Sequence, residues 1–472
     1  MISRQDIDER VREWQLREEV VEKDYVLGWL LWGISQHPIL GDQWVFKGGT
    51  CLKKCYIETY RFSEDLDFTV RNRGPFTPQA VEPHLAEVLT SVQAESGINF
   101  GSQPPRLRLR QAGTSTEGRV YYIGPRNTPT AASIKLDITG KEILVKEPVR
   151  RPIVHTYPDS LPPSAEVLAY TFEEVFAEKI RAMAERGRPR DLYDIVNLFR
   201  RDDLNLQTGL VCDILREKCE FKGIPFPTLE VLQASDSEIR GDWEAMLSHQ
   251  LPILPPLEQF WDELPLLAEW LEGHAITEPV ERVYAPNTTP WSPPPNADVW
   301  GESFSLEGIR FAAINRLCVN LAYGGSTRLI APYSLRRSND GHLLLYAIKQ
   351  ETGEVRCYRV DRIQGATLTD ITFTPRYAIE FSSSGSISAP PVRRRSSGYT
   401  SARTRRASTP RIRRSSRTRR PRVSGGMKYV FKCGICGKSF TRSSNDSTLR
   451  PHKDRFKNTC YGSFGIFVRN KY

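Results

Sequence analysis

The chain has 472 residues, 39% of them hydrophobic, enough for two to four domains with real cores. No apolar run approaches the roughly 18 residues that span a bilayer, and the start MISRQDIDERVREW is charged, so neither a membrane span nor a secretory leader is expected and a cytoplasmic address is. The net charge of +10 is local: residues 382–426 hold 13 Arg, no Lys and no acidic residue, which leaves the rest of the chain near −3.

In chain order, residues 6–34 follow helical spacing and carry a strongly apolar face, EEVVEKDYVLGWLLWGI, a packing element. Residues 44–47 read as a short strand, 50–60 as a helix of about three turns, and 66–70 as a strand at whose start stand Asp65 and Asp67. Side chains alternate along a strand, so Asp65 and Asp67 project from one face and can reach the same divalent cations. Gly48 and Gly49 let the backbone approach closely, and Thr50 opens a helix whose N–H groups suit a phosphate. Lys47, with Lys53 or Lys54 one turn on, is a candidate to meet a triphosphate; Ser63 braces the turn and is placed to touch phosphate. Arg61 either faces phosphate or pairs with Glu58, and Glu64 points to the opposite face in a structural role. Cys51 and Cys55, one helical turn apart, read as a half-buried helix face rather than a redox switch.

A helix follows at 78–96, then strand-like runs at 106–109, 120–123 and 132–139, giving a mixed sheet flanked by helices. Asp137, in ASIKLDIT, is the natural third carboxylate if its strand lies beside that of Asp65 and Asp67. From 171 to 273 the pattern is helical and includes Glu178, Lys179, Arg190, Asp191 and Asp194. Lys179 is a point charge suited to β and γ phosphates, whereas Arg190 and Asp191 also make an ordinary capping and pairing cluster, with Tyr193 packed inward.

The order of glycine pair, Thr, helix and Asp-x-Asp resembles the first motif of the DNA polymerase β-type nucleotidyltransferases. With RFSEDLDF after GGTCLKK, and AEKIRAMAERGRPRDLYDIVNLF further on, residues 1–275 resemble the AbiEii/AbiGii toxin-like family. The resemblance implies a Mg²⁺- or Mn²⁺-dependent enzyme that moves NMP from an NTP to an RNA 3′ hydroxyl, with tRNA the first expectation and translation blocked. Asp65, Asp67 and Asp137 would then hold metal, and Lys47, Gly48, Gly49, Thr50, Ser63 and Lys179 the nucleotide. A cognate antitoxin is also implied. The acceptor stays open between RNA, a protein hydroxyl and another nucleotide. A different class of reading is a nucleic-acid-binding regulator with the N-terminal fold as scaffold.

Residues 276–300, rich in Pro and Asn, are expected to be an irregular linker. An entry helix at 306–315 and several β-like runs then suggest a small twisted β domain over 301–381. Ile314, Tyr323, Arg328, Pro332, Tyr333 and CYRVDRIQGATLTD resemble the WYL domain, an Sm-like module; the tripeptide itself is represented by LAY at 321–323. The resemblance implies ligand sensing by Tyr323, Arg328, Tyr333, Arg359 and Arg362, which could equally pair among themselves to hold the barrel.

Residues 382–426 cannot bury enough apolar surface to order themselves and are expected to be a disordered basic linker that meets nucleic acid. In 427–472, Cys433, Cys436, His452 and Cys460 are spaced C-x2-C-x15-H-x7-C, which suits a structural Zn²⁺ in a zinc-finger-like module. The expected class is therefore α+β: a polymerase β-type core with a helical second half, an Sm-like β domain, a disordered basic linker and a zinc module.

Overall fold

The computed structural model describes residues 1–57, 61–163, 165–201, 206–274, 288–290, 306–381, 428–433, 436, 438–442, 449–450, 452–453, 459–460 and 465–471. Two compact units are present, and the described residues up to Phe381 belong to the first. Most of residues 276–300, and all of 382–426, lie outside the described residues.

The apolar stretch at the start forms two helices rather than one. α1 (Arg4–Trp14) is capped by Ser3, whose hydroxyl accepts from Asp6 N while Asp6 Oδ2 accepts from Ser3 N. It stops where Gln15 turns left-handed, and α2 (Glu18–Gln36) then runs through the core, buried on nearly every side. α3 (Leu40–Gln43) leads into β1 (Trp44–Lys47), followed by α4 (Gly48–Cys51), a π-helical turn (Leu52–Tyr56), β2 (Asp65–Val70) and α5 (Pro78–Ser96). The expected helix at 50–60 thus begins earlier, at Gly48, and ends at Tyr56. β3 (Arg106–Leu109), β4 (Ser115–Tyr122), β5 (Ala132–Thr139), β6 (Val149–Pro152) and β7 (Glu166–Ala169) complete a seven-stranded mixed sheet, ordered β3-β4-β5-β2-β1-β7-β6. β6 and β7 are short and were not foreseen in the sequence; they extend the sheet beyond β1.

The helical half begins with α6 (Phe172–Arg186), capped by the Thr171 hydroxyl accepting from Glu174 N, and continues in α7 (Pro189–Phe199). Gly187, left-handed with φ +50°, ends α6, and Pro189 at the first turn of α7 restarts the helix two residues later. α8 (Thr208–Lys222), α9 (Leu229–Gln233), α10 (Asp236–Leu247), α11 (Glu258–Trp261) and α12 (Leu264–Leu271) follow. No helix among the described residues is long and apolar enough to cross a membrane.

Within the stretch expected to be irregular, β8 (Thr288–Pro290) adds an edge strand. An edge strand tolerates Pro290 because its missing N–H need not enter a ladder. α13 (Glu307–Ile314) then introduces a sheet of β9 (Leu317–Tyr323), β10 (Ser326–Ser338), β11 (Leu343–Lys349), β12 (Val355–Arg359) and β13 (Ile363–Thr372), ordered β12-β11-β10-β9-β13, with β8 on β10. This β region shares one hydrophobic core with the sheet and helices before it. Glu263 binds the junction by accepting from Arg200 of the helical half and from Arg316, just after α13.

The second unit contains a three-stranded sheet, with β14 (Lys428–Cys433) between β15 (Ser439–Arg442) and β18 (Gly465–Lys471), and a short pair of β16 (His452–Lys453) with β17 (Thr459–Cys460).

Candidate active site

Alternation along β2 buries Leu66 and Phe68 and leaves Asp65 and Asp67 on the opposite, open face. β5 lies parallel to β2 with Asp137 beside Asp67 and Lys135 beside Asp65, while antiparallel β1 sets Lys47 opposite Asp67. Three carboxylates from two adjacent strands therefore stand on one face, flanked by two lysines. Burial, then the charges of Asp65 and Asp137, push the Asp67 carboxyl up to about 6 against the pull of Lys47 and Lys179. Burial also raises Asp65, opposed by Lys135 and Arg190. Crowded carboxylates with raised proton affinity are a hard-oxygen donor set for a divalent cation, which would remove the repulsion that raises Asp67.

The glycine pair is held against this cluster. Gly48 has φ +81°, and a Cβ there would stand 2.5 Å from Asp67 Oδ2; a Cβ on Gly49 would lie 2.8 Å from Arg61 Nη2 and 3.2 Å from Ser63 Oγ. Both requirements at Gly48 select glycine. Thr50 donates its hydroxyl to the Asp65 carbonyl, so its side chain fastens the turn to β2.

Lys47 is buried against Glu178 at 3.3 Å; burial would lower its proton affinity, but Glu178, Glu142 and Asp67 outweigh it and raise the value. Lys179 pairs with Asp194 at 2.7 Å and with Asp191 at 3.7 Å, and stands near enough to Asp67 to lower its pKa. Asp194 also takes Arg61 through two hydrogen bonds, and Asp191 takes Arg186 likewise. Burial opposes ionisation of Asp194, yet Arg61 and Lys179 hold its carboxyl down at about 2. Arg61 is thus committed to Asp194 and Gln250; Glu58, its other expected partner, lies outside the described residues.

Lys54 is fully buried and donates to Asp24 Oδ2 at 2.8 Å, and Lys53 sits 3.8 Å over the Phe62 ring, so the structure gives these two lysines packing partners in place of the triphosphate contact expected of one of them. Glu64 pairs with Lys23 and faces His249, away from the pair it precedes. Lys135 was missed in the sequence, although its place two residues before Asp137 was the available signal.

Of the expected sensing residues, Tyr323 and Arg328 lie together, with the Arg328 guanidinium donating to the Tyr323 carbonyl at 2.6 Å, and Arg359 N donates to the Tyr323 hydroxyl. Arg359 pairs with Asp361, and Arg362 is exposed. Tyr333 is apart from them, buried against Phe373 and Tyr377.

In the second unit, the ligand atoms of Cys433, Cys436, His452 and Cys460 all lie within 4.8 Å of one another. β16 and β17 bring His452 opposite Cys460, and His452 Nδ1 donates to the Arg450 carbonyl at 2.9 Å, which turns Nε2 toward Cys436 Sγ at 3.3 Å. Three thiols and an imidazole so oriented fit a structural Zn²⁺. A second grouping, His37, His84 and Glu87, fits a metal poorly: His37 Nδ1 accepts from Ile39 N and Leu40 N, which puts the ring proton on Nε2, facing Glu87.

The sheet, its carboxylates and its glycine turn define a nucleotidyltransferase. The family model described as nucleotidyl transferase AbiEii toxin, Type IV TA system, matches residues 29–270, and the chain belongs to that family. The WYL domain model matches residues 305–368. Among solved structures, the chain is similar to MenT4, a nucleotidyltransferase toxin from Mycobacterium tuberculosis, at 20% identity and a TM-score of 0.42 over 58% of this chain and 91% of that one. No curated protein matches it.

Proposed function

We propose that this toxin-family nucleotidyltransferase moves NMP from an NTP to an RNA 3′ hydroxyl, with tRNA as the first acceptor to test, and blocks translation by doing so. The observation that carries the reading is the register that sets Asp137 beside Asp67 and Lys47 opposite it. Asp65, Asp67 and Asp137 would hold Mg²⁺ or Mn²⁺, which when bound neutralises phosphate charge and orients attacking and leaving oxygens. Lys47 and Lys179 supply fixed positive charge for the triphosphate, anchored by half-buried Glu178 and buried Asp194 respectively, and Gly48 and Gly49 leave room for it. Ser63, above Gly49, is a further contact for phosphate.

Zn²⁺ on Cys433, Cys436, His452 and Cys460 would fold the second unit, and Tyr323, Arg328 and Arg359 offer one edge of the β region for a ligand. The basic segment 382–426 would add nucleic-acid affinity, the family implies an antitoxin, and a cytoplasmic site of action follows from an RNA target. The test is incubation of the protein, and of D65A/D67A, with Mg²⁺, total tRNA and each α-labelled NTP. Label entering tRNA only with the unchanged chain supports the reading; label entering protein or a small product overturns the acceptor.

A further inference from the structure

Two rungs of side chains cross the open face of the first sheet. One runs Arg106, Arg119, Lys135, Asp65 and the next Arg108, Glu117, Asp137, Asp67, each residue directly opposite its neighbour across β3, β4, β5 and β2. Directly opposed residues share a face, so the basic rung stands on the same side as the carboxylates. At about 4.8 Å per strand it reaches some 14 Å, from the sheet edge to Asp65. The other face is occupied by Gly118, Val120, Ile134 and Leu136, all buried, so the arginines are held outward by the pleat.

Some surface arginines have acidic partners: Arg240 pairs with Asp236 and Glu258, and Arg216 with Asp213. The rung differs. Arg106 and Arg119 are exposed; Arg119 donates to the Ser133 hydroxyl at 3.3 Å, and Arg106 stands 5.8 Å from the Tyr121 ring. Lys135 approaches Glu117 only to 4.0 Å, and Arg110 takes up Asp137. Among the described residues, no carboxylate pairs with Arg106, Arg108 or Arg119. The rung therefore offers guanidinium forks suited to phosphate oxygens, with a half-buried aromatic ring beside them on which a base can stack.

We infer that Arg106, Arg119 and Lys135, with Tyr121, form the seat for the last phosphates of a single-stranded RNA, leading its 3′ end to the Asp65 side of the site. The inference rests on the proposed RNA acceptor and adds the surface that would receive it.

The test compares the full-length chain with its R106A/R119A variant, using a fluorescein-labelled single-stranded RNA of mixed sequence with a 3′ hydroxyl. Binding is measured across a salt series, KM for RNA and for NTP in the transfer assay, and stability by thermal unfolding. Loss of two phosphate contacts is expected to make the slope of log K against log salt shallower by about 1.4, at about 0.7 per phosphate on a single strand. The KM for RNA should rise while the KM for NTP and the unfolding temperature stay put. An unchanged slope, with all affinity residing elsewhere in the chain, overturns the assignment. So does a rise in the KM for NTP instead, or a protein acceptor whose labelling depends on the same arginines. If the unchanged chain labels no RNA, the proposed acceptor fails on its own; the surface then stands with a shallower slope and falls with an unchanged one.

Discussion

Arg61 and Asp194 meet in a two-point ion pair, Nε to Oδ1 at 2.7 Å and Nη2 to Oδ2 at 2.9 Å, that ties the segment before β2 to α7. Both are buried, and Lys179 shares the same carboxylate. The pair holds the glycine turn from behind, because the Arg61 guanidinium lies against Gly49.

Asp194→Ala removes the carboxylate that Arg61 and Lys179 share, leaving buried Arg61 with Gln250 and Lys179 with Asp191 at 3.7 Å, and is expected to cost about 3–5 kcal/mol. Thermal and denaturant unfolding measure this directly. The sign of the pH dependence follows from a folded pKa of about 2 against an ordinary 3.8. Stabilisation by Asp194 is complete above the ordinary value and is lost as pH falls through the folded one. The stability gap between the unchanged chain and Asp194→Asn should hold steady from neutral pH down to about 5 and close between about 4 and 2.

Asp67 has the opposite sign. Its pKa of about 6 lies above the ordinary 3.8, so ionising it costs the fold stability progressively across that interval, and the cost is complete above about 6. Without metal, Asp67→Asn should therefore be more stable than the unchanged chain at pH 7, by about 1–3 kcal/mol. The same variant should lose about 10²–10³-fold or more in transfer rate. A substitution that stabilises the protein while removing turnover separates the carboxylate's chemical role from a structural one.

Gly48→Ala meets two obstacles. The left-handed backbone costs an alanine about 1–2 kcal/mol, and the new methyl would press on Asp67 Oδ2 from 2.5 Å. A lowered unfolding temperature together with reduced transfer is expected; Thr50→Ser, which keeps the hydroxyl bonded to the Asp65 carbonyl, should retain activity.

The protein as purified should contain one equivalent of zinc, released by a strong chelator and absent after Cys436→Ser with Cys460→Ser, as read by metal analysis. Because the four ligands belong to the second unit, unfolding of the first should keep its midpoint.

The sequence by itself determined the elements whose pattern is local. Alternation placed Asp65 and Asp67 on one face of a strand, the Gly48–Gly49 pair marked a close approach of the backbone, and the CxxC spacing brought two thiols to one point. Such features depend on backbone period and on single-residue sterics, which act within a few residues.

Only the tertiary structure decided which charges face the carboxylates and which are consumed by packing. Lys47, Lys53 and Lys54 are alike in the sequence, yet Lys47 stands opposite Asp67 while Lys54 is buried on Asp24 and Lys53 on aromatic rings. Strand order made the same choice for Lys135 and Arg119, whose alignment with Asp65 depends on β5 lying between β2 and β4. The partners of these residues lie from 9 to 70 positions away, and their pairing is fixed by ladder register and by burial, which no local pattern encodes.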